Sequence, residues 1–474
     1  MNSRGRVVVV GAGPNGLAAA IVAAQAGFAV EVFEAEAEVG GAARTLPLTL
    51  PGYLHDFGSA VHPMAAASPF FQSLPLQAHG LEWIHFPAPL AHPLDDGTAV
   101  TLERDLNAAA EQLGPDGTAW KDLIGPLAAR WNDLATEILQ PILHVPKHPF
   151  LLAHFGLRGL LPATKFANFY FKDPRTKALF AGMAAHSFLA LDEPMSSAVA
   201  LVLAATAHAV GWPIPRGGAG AIAKALTGHL QSLDGTVTTS HRVDRLSSLG
   251  DFNFALCDVT PRQVLQLANF PDTYTRLLQK YRYGAGVFKV DYALSSPIPW
   301  KARACSEAST VHVGGSMEEI AASEKAVRLG NHAERPFLLV AQPTLYDTSR
   351  APAGKHIAWA YCHVPNGSTI DMLPRIEAQI ERFAPGFHDC IIARRPWTPA
   401  DLEIRDANLV GGDINGGVAD WRQLLLRPTW RQYATALSNV YLCSSSTPPG
   451  GGVHGMCGFN AAQVAVKRFS KKLN

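Results

Sequence analysis

After Arg6, four valines run without interruption to Gly11, and from Pro14 to Ala26 nearly every position is apolar on every helical face. A short unbroken run of β-branched residues marks a strand buried on both sides, and a helix apolar all round marks a buried helix. Gly27 ends that helix, and Ala29-Val30-Glu31-Val32-Phe33 reads as a second strand with Glu34 at its end. Further on, Leu94-Asp95-Asp96-Gly97-Thr98 sets an Asp-Gly hairpin signal between two strand-like runs. Trp120, Leu123, Ile124, Leu127, Trp131, Leu134 and Ile138 recur at three-and-four spacing, which predicts a helical core stripe. Period-two alternation returns in KYRYGAGVFKVDYALSSPIPW, a strand carrying Lys289, and in GKHIAWAYCHVP, where Ile357, Trp359, Tyr361 and His363 share one face. The longest apolar stretch, AVALVLAATAHAVGWPIP from Ala198, is interrupted by Thr206, His208, Gly211 and Pro213, and reads as a buried helix rather than a membrane span.

Composition narrows the class. At 474 residues the chain exceeds one hydrophobic core, so two or three domains are expected. Only 17% of residues are charged and 48% are hydrophobic, which points to deep cores, a greasy cavity, or both. With 40 Lys plus Arg against 39 Asp plus Glu, the net charge of +1 argues against a nucleic-acid partner, which would need a basic face. Cys257, Cys305, Cys362, Cys390, Cys443 and Cys457 are scattered without a CxxC pair and read as reduced core thiols. None of the 18 histidines falls in HExxH and no zinc spacing occurs, so no metal site is expected. The opening MNSRGR runs straight into the first strand and leaves no room for a signal peptide, which makes a cytoplasmic location the expectation.

Chemistry enters at the first strand-to-helix turn, where Gly11, Gly13 and Gly16 satisfy GxGxxG. The first glycine allows the tight turn, the second lets a ligand approach without meeting a Cβ, and the third lets helix and strand pack closely. The N–H groups at the helix start, around Pro14 and Asn15, then favour a pyrophosphate. Glu34, about twenty residues past the glycines, suits the two hydroxyls of a ribose.

The continuation, with Gly40-Gly41, Arg44, Gly52, Asp56 and Gly58, resembles the FAD-binding superfamily of phytoene desaturases and amine oxidases. In that family the segment matching Gly40 to Arg44 runs beside the diphosphate and ribityl chain. The segment PRGGAGAIAKALTGHL with DGTVTTSHRVDRL resembles the family's middle region, which implies that Val243 lies on a short strand whose backbone pairs with the adenine. NVYLCSSSTPPGGGVHGMCGFNAAQVAVKRF resembles its last strand, glycine loop and helix. The resemblance implies that this helix points at the flavin pyrimidine, with Gly450, Gly451, Gly452 and Val453 at the ring edge. Many relatives carry an acid where Ser445 stands, and a serine also hydrogen-bonds phosphate or ribityl oxygens. TPPGGGVHG and GPNGLAAA lean toward the phytoene dehydrogenase-like branch, which holds the pyridine nucleotide-disulfide oxidoreductase domain-containing protein 2 group. No CxxxxC pair and no second strand-GxGxxG-helix unit follow, so neither disulfide chemistry nor a nicotinamide domain is expected.

The fold this resemblance implies is α/β: a discontinuous Rossmann-like FAD-binding domain (1–64, 212–262 and 429–474) with an inserted α+β substrate domain (65–211 and 263–428) that includes a helical lid. The implied activity is that of an FAD-dependent oxidoreductase accepting a hydride at flavin N5 from a largely apolar, isoprenoid- or lipid-like substrate, of the desaturase or dehydrogenase type. The strand carrying Lys289 resembles the amine-oxidase strand whose lysine holds a water against N5, which makes Lys289 the catalytic candidate and a flavin amine oxidase the alternative. A flavin-stabilised interaction protein with little turnover is a third reading, from the absence of an obvious acid–base pair. HVPKHPFLLAHFGLRGLLPATKFANFYF, from His144, reads either as a lid over a cavity or as a peripheral contact with the inner face of a membrane, as related desaturases use apolar helices there. His186 and His208, on greasy helices, read as hydrogen-bonded core histidines. Asp413-Ile414-Asn415-Gly416-Gly417 lacks the rest of a calcium-loop pattern. The pattern leaves substrate identity, electron acceptor and oligomeric state open, as well as whether Tyr361 and His363 line the site.

Overall fold

The computed structural model describes residues 4–473; Met1–Ser3, part of the opening read above as too short for a leader, lie outside the described residues. A parallel five-stranded sheet is built on Arg6–Val10. Its strand order is Val440–Leu442, Phe254–Cys257, Arg6–Val10, Ala29–Phe33 and Thr236–Thr238, with every pairing parallel. The central valines have no polar face to show: Val7, Val8 and Val9 are all 0% exposed, as expected for a strand covered on both sides. The helix Pro14–Gln25 follows, with proline in its first turn, and the closing helix Met456–Leu473 lies against it. Phe28 meets both Phe254 and Phe469 edge to face, with ring centroids 5.1 Å and 5.2 Å apart.

A second, mixed sheet has seven strands in the order Ile391–Trp397, Gly286–Leu294, His356–Val364, Leu338–Ala341, Ala308–Val313, Ala88–Pro93 and Ala99–Leu102. The last two form the hairpin expected around Gly97, whose φ of 83° only glycine adopts readily. The two faces of this sheet differ in chemistry. Phe288, Val290, Tyr292 and Leu294 alternate onto one face with Ala358, Ala360 and Cys362, and there they pack against the helix Leu373–Phe383. The register puts Lys289, Tyr361 and Leu339 in one row and His312 beside Leu339, all on the other face, which turns toward the first sheet. The expected helical stripe is present as two helices, Gly117–Ala129 and Trp131–Ile138, and Trp120, Ile124, Leu127 and Leu134 are 0% exposed. All six cysteines are free and buried. Among the described residues no helix is long and apolar enough to cross a membrane.

The closest backbone approach is between the first and last helices, where a Cβ on Gly458 would sit inside the Asn15 carbonyl. Gly458→Ala is therefore expected to lower unfolding free energy by about 1–3 kcal/mol. Gly156→Ala, in the helix Pro149–Gly159 with nothing within 4 Å of the added carbon, is expected to raise it by about 0.5–1 kcal/mol. Urea unfolding followed by circular dichroism distinguishes them, and an unchanged midpoint for the first would mean that the helices separate at no cost.

Candidate functional site

A cleft enclosing about 1680 Å³ of empty space, part of it open to solvent, lies between the carboxyl ends of the parallel strands and the second sheet. Gly13, Pro14, Asn15, Gly41, Asp258 and Asp406 form part of its wall, and Ser445, Gly452 and Val453 another part. Lys289, Thr310, Leu339, Trp359 and Tyr361 line it from the second sheet, joined by His186, Leu203 and Trp212.

The glycine turn is folded as its sequence requires. Gly11 sits at φ 98° and donates its N–H to the Phe33 carbonyl, while a Cβ on Gly16 would strike the Gly11 carbonyl. The helix it opens has no capping side chain from its own loop and no acid in its first turn. Its orphan N–H groups are met from outside: Gly16 donates to Asp258 Oδ2 at 2.8 Å. Asp258 stands just past the strand Phe254–Cys257, and burial pushes its carboxyl up to about 7, with Asp406 and Glu34 adding repulsion against the Gly16 hydrogen bond. Glu34 accepts from the N–H of Ala12 at 2.7 Å and of Glu36 at 2.9 Å, and burial raises its pKa also. Asn15 Oδ1 is buried with no partner.

Gly40 and Gly41 both have positive φ, and the Gly40 N–H bonds to the Ala12 carbonyl at 2.8 Å, which seats this loop on the first one. Arg44 does not line the cleft. Its guanidinium donates to the carbonyls of Gly41 and Arg405 and to Glu36, so it pins the loop from behind. Val243 departs from its expected place on a strand. The strand stops at Thr238, because Ser240 turns at φ 53° and the chain bonds through Ser240 and His241 to the carbonyls of Glu36 and Glu34. The Val243 peptide itself makes no hydrogen bond among the described residues. Near the C-terminus, Gly450 and Gly452 adopt φ of 117° and 121°, and Gly451 packs against Asn415. Arg427 holds the Ser445 carbonyl at 2.8 Å.

On the sheet side, Lys289 is 3% exposed and second from the sheet edge, not at it. Its Nζ donates to both oxygens of Asp291 at 2.6 Å, and Asp291 also accepts from Trp397 Nε1 at 2.9 Å. The lysine thus reaches the cleft wall already paired. His208 is hydrogen-bonded as expected but only partly buried, accepting from Trp120 Nε1 and bonded through Nδ1 to the Arg104 carbonyl. His186 instead lines the cleft, its Nε2 2.9 Å from His312 Nε2, and burial lowers its pKa to about 3. Phe188, two residues on, holds a strained φ of 59° and lays its ring 3.9 Å from that of His363, which pairs with Glu324. Trp359 and Tyr361 stack at 5.4 Å; of the four residues expected on that face, Ile357 packs away against Tyr53 and Ala293. Asp413 accepts backbone N–H groups from Gly284 and Asn415, which is turn-forming work. Asp258, Asp406 and His312 were absent from the sequence reading. Only Asp258 carried a signal, as the residue past a parallel strand where such sheets bind ligands.

Residues 9–74 match the family model of the NAD(P)-binding Rossmann-like domain. A rat protein called pyridine nucleotide-disulfide oxidoreductase domain-containing protein 2 is 25% identical over 97% of this chain and 93% of its own length. A 4,4'-diapolycopene oxygenase of Methylomonas sp is 22% identical over 95% of this chain and 96% of its own. Wild-type putrescine oxidase bound to putrescine shares the fold with a TM-score of 0.59 at 17% identity, covering 98% of this chain and 99% of that one.

Asp258 binds its proton more tightly folded than unfolded, so its stabilising contribution is full below about pH 4 and disappears as the pH rises through about 7. Between those values the ligand-free protein is expected to lose on the order of 2–4 kcal/mol relative to Asp258→Asn. Unfolding of both proteins at acid and mildly alkaline pH measures this, and a difference that ignores pH would show an ordinary carboxyl.

Proposed function

We propose that this chain, a phytoene dehydrogenase-like FAD-dependent oxidoreductase, removes hydrogen from a largely apolar, isoprenoid- or lipid-like substrate held in the cleft between its two sheets. The single observation that carries the reading is the cleft itself, which joins a glycine-turn dinucleotide cradle to an apolar chamber walled by Leu203, Trp212 and Leu339.

The residues present fit the cofactor. Asn15 Oδ1 and the Val243 peptide lack protein partners, and Gly13 and Gly41 offer backbone without a Cβ at the cleft wall. The Gly16 N–H is held by a carboxyl that protonates near neutrality, so an incoming phosphate meets little fixed negative charge there. In this proposal Gly11, Gly13, Pro14, Asn15 and Gly16 hold the diphosphate, Glu34 the ribose, Val243 the adenine, and Gly40 and Gly41 the ribityl side, with Arg44 bracing them. Ser445, Gly451, Gly452 and Val453 border the ring. The cofactor is held by segments 1–64, 212–262 and 429–474, and the substrate by 65–211 and 263–428. When bound, FAD supplies the two-electron acceptor. The chain's own work is to orient the substrate and keep water out, which needs apolar walls more than an acid–base pair. The amine-oxidase alternative rests on Lys289, whose amine is already bound to Asp291, and the shared fold alone does not favour it.

The same reading brings the substrate from a lipid surface. Val145 and Phe150 are 90% exposed and Phe169 80%, alongside Leu143, Leu157 and Leu160. The chain from Ile138 to Lys172 contains Lys147, Arg158, Lys165 and Lys172 but no Asp or Glu. Apolar side chains ringed by cations suit an anionic membrane interface.

Gly13→Val is expected to purify folded but colourless, and Glu34→Gln to weaken FAD binding about 10- to 100-fold; flavin absorbance at equal protein concentration reads both, and full flavin in the valine variant would misplace the phosphate. Val145→Asp with Phe150→Asp is expected to abolish co-sedimentation with phosphatidylglycerol vesicles at unchanged melting temperature. Undiminished sedimentation would make the segment a lid alone.

A further inference from the structure

The two faces of the seven-stranded sheet ought to be equally apolar, since both are buried, yet only the far face is. The cleft face carries Thr310, His312, Trp359, Tyr361 and His363, brought side by side by strand register. Several of these groups have nothing in the protein to bond. Trp359 is 5% exposed, lines the cleft, and its Nε1–H is buried without a partner. Among the described residues the hydroxyls of Tyr361 and Thr310, both at the cleft wall, make no hydrogen bond. His186 gives one ring nitrogen to His312 and keeps the other free. A buried polar group left unpaired, as the Trp359 Nε1–H is, is unfavourable, and native proteins keep few such groups without a ligand or function to account for them; the Tyr361, Thr310 and His186 groups beside it are unpartnered at the cleft wall among the described residues.

Resting on the reading of an apolar substrate above, we propose that this substrate also bears a neutral oxygen, a hydroxyl or a carbonyl, that docks against Trp359, Tyr361, Thr310 and His186. The surrounding charges select neutrality. Lys289 is matched by Asp291, and Glu324 by His363 at 2.7 Å. Burial holds His186 at about 3 and His312 well below its usual value, so neither supplies a cation. Burial also pushes the Tyr361 phenol up, so it remains a donor. Among the described residues Lys289 and Asp291 answer each other on this face, so neither an ammonium nor a carboxylate finds a free counterion on it; the other carboxyls of the cleft, Asp258 and Asp406, belong to the wall at the glycine turn. The rest of the molecule meets Leu203, Trp212 and Leu339.

The holoprotein titrated with 1-octanol, octane, octylamine and octanoate, followed by flavin absorbance and tryptophan fluorescence, tests this. Octanol is expected to bind at least tenfold more tightly than the other three. Trp359→Phe with Tyr361→Phe is expected to lose about tenfold on octanol and nothing on octane. Thr310→Val, nearly the same shape, is expected to lose severalfold on octanol and serves if the double variant does not fold. Octane binding as tightly as octanol, variants that weaken both equally, or no binding of octanol at all would overturn the oxygen contact. Octane binding with no octanol preference leaves the apolar reading standing, whereas octylamine binding most tightly would overturn both.

Discussion

Backbone meeting backbone without an intervening side chain is the constraint on which this molecule is built. Gly16 lies on the Gly11 carbonyl, Gly458 on the Asn15 carbonyl, and Gly41 against Gly13. These contacts bring the amino end of the first helix, the second glycine loop and the closing helix to one place at the carboxyl edge of the parallel sheet. A methyl group at Gly16 or Gly458 would move a helix rather than a side chain, because the opposing atoms are main chain.

That convergence also concentrates charge. Glu34, Asp258 and Asp406 gather at the end of a helix whose dipole favours anions, and burial raises the pKa of all three. Arg44 and Arg405 stand behind them through Glu36, at 3.0 Å and 3.3 Å. A buried pair, Asp56 with Arg350 at 3.0 Å, anchors the neighbouring turn through the Ala219 N–H. In the proposed reading this turn takes a phosphate beside Asp258, whose carboxyl burial pushes up to about 7, while Arg44 is engaged with Glu36.

The second sheet answers a different need. Its far face is sealed by a helix and is mostly apolar packing, with Arg394 bound to Glu377 of that helix, whereas unpartnered polar side chains gather on the face that looks into the cleft. Lys289 and Asp291 neutralise each other there, and the packing around Phe188 keeps its ring beside His363 despite a strained φ. In the proposed reading such a wall orients and dries a substrate, while the electron chemistry belongs to the cofactor.

Much of this was readable along the chain because it depends on neighbours in sequence. The valine run, the glycine turn, Glu34 and the helix limits follow from short-range periodicity and from sites where only glycine fits. Strand alternation likewise placed Trp359, Tyr361 and His363 on one face. What lay beyond reach depends on residues brought together from afar. The bond from Gly16 to Asp258 spans 242 positions, and that between His186 and His312 spans 126. The pairing that occupies Lys289 is local, only two residues away, yet which face it shares with the cleft is set by the sheet's register. Val243 was placed on a strand by the family resemblance, and a turn at Ser240, imposed by bonds to Glu34 and Glu36, ended the strand sooner. Local pattern determined which elements form, while packing between them decided which side chains are left free to act.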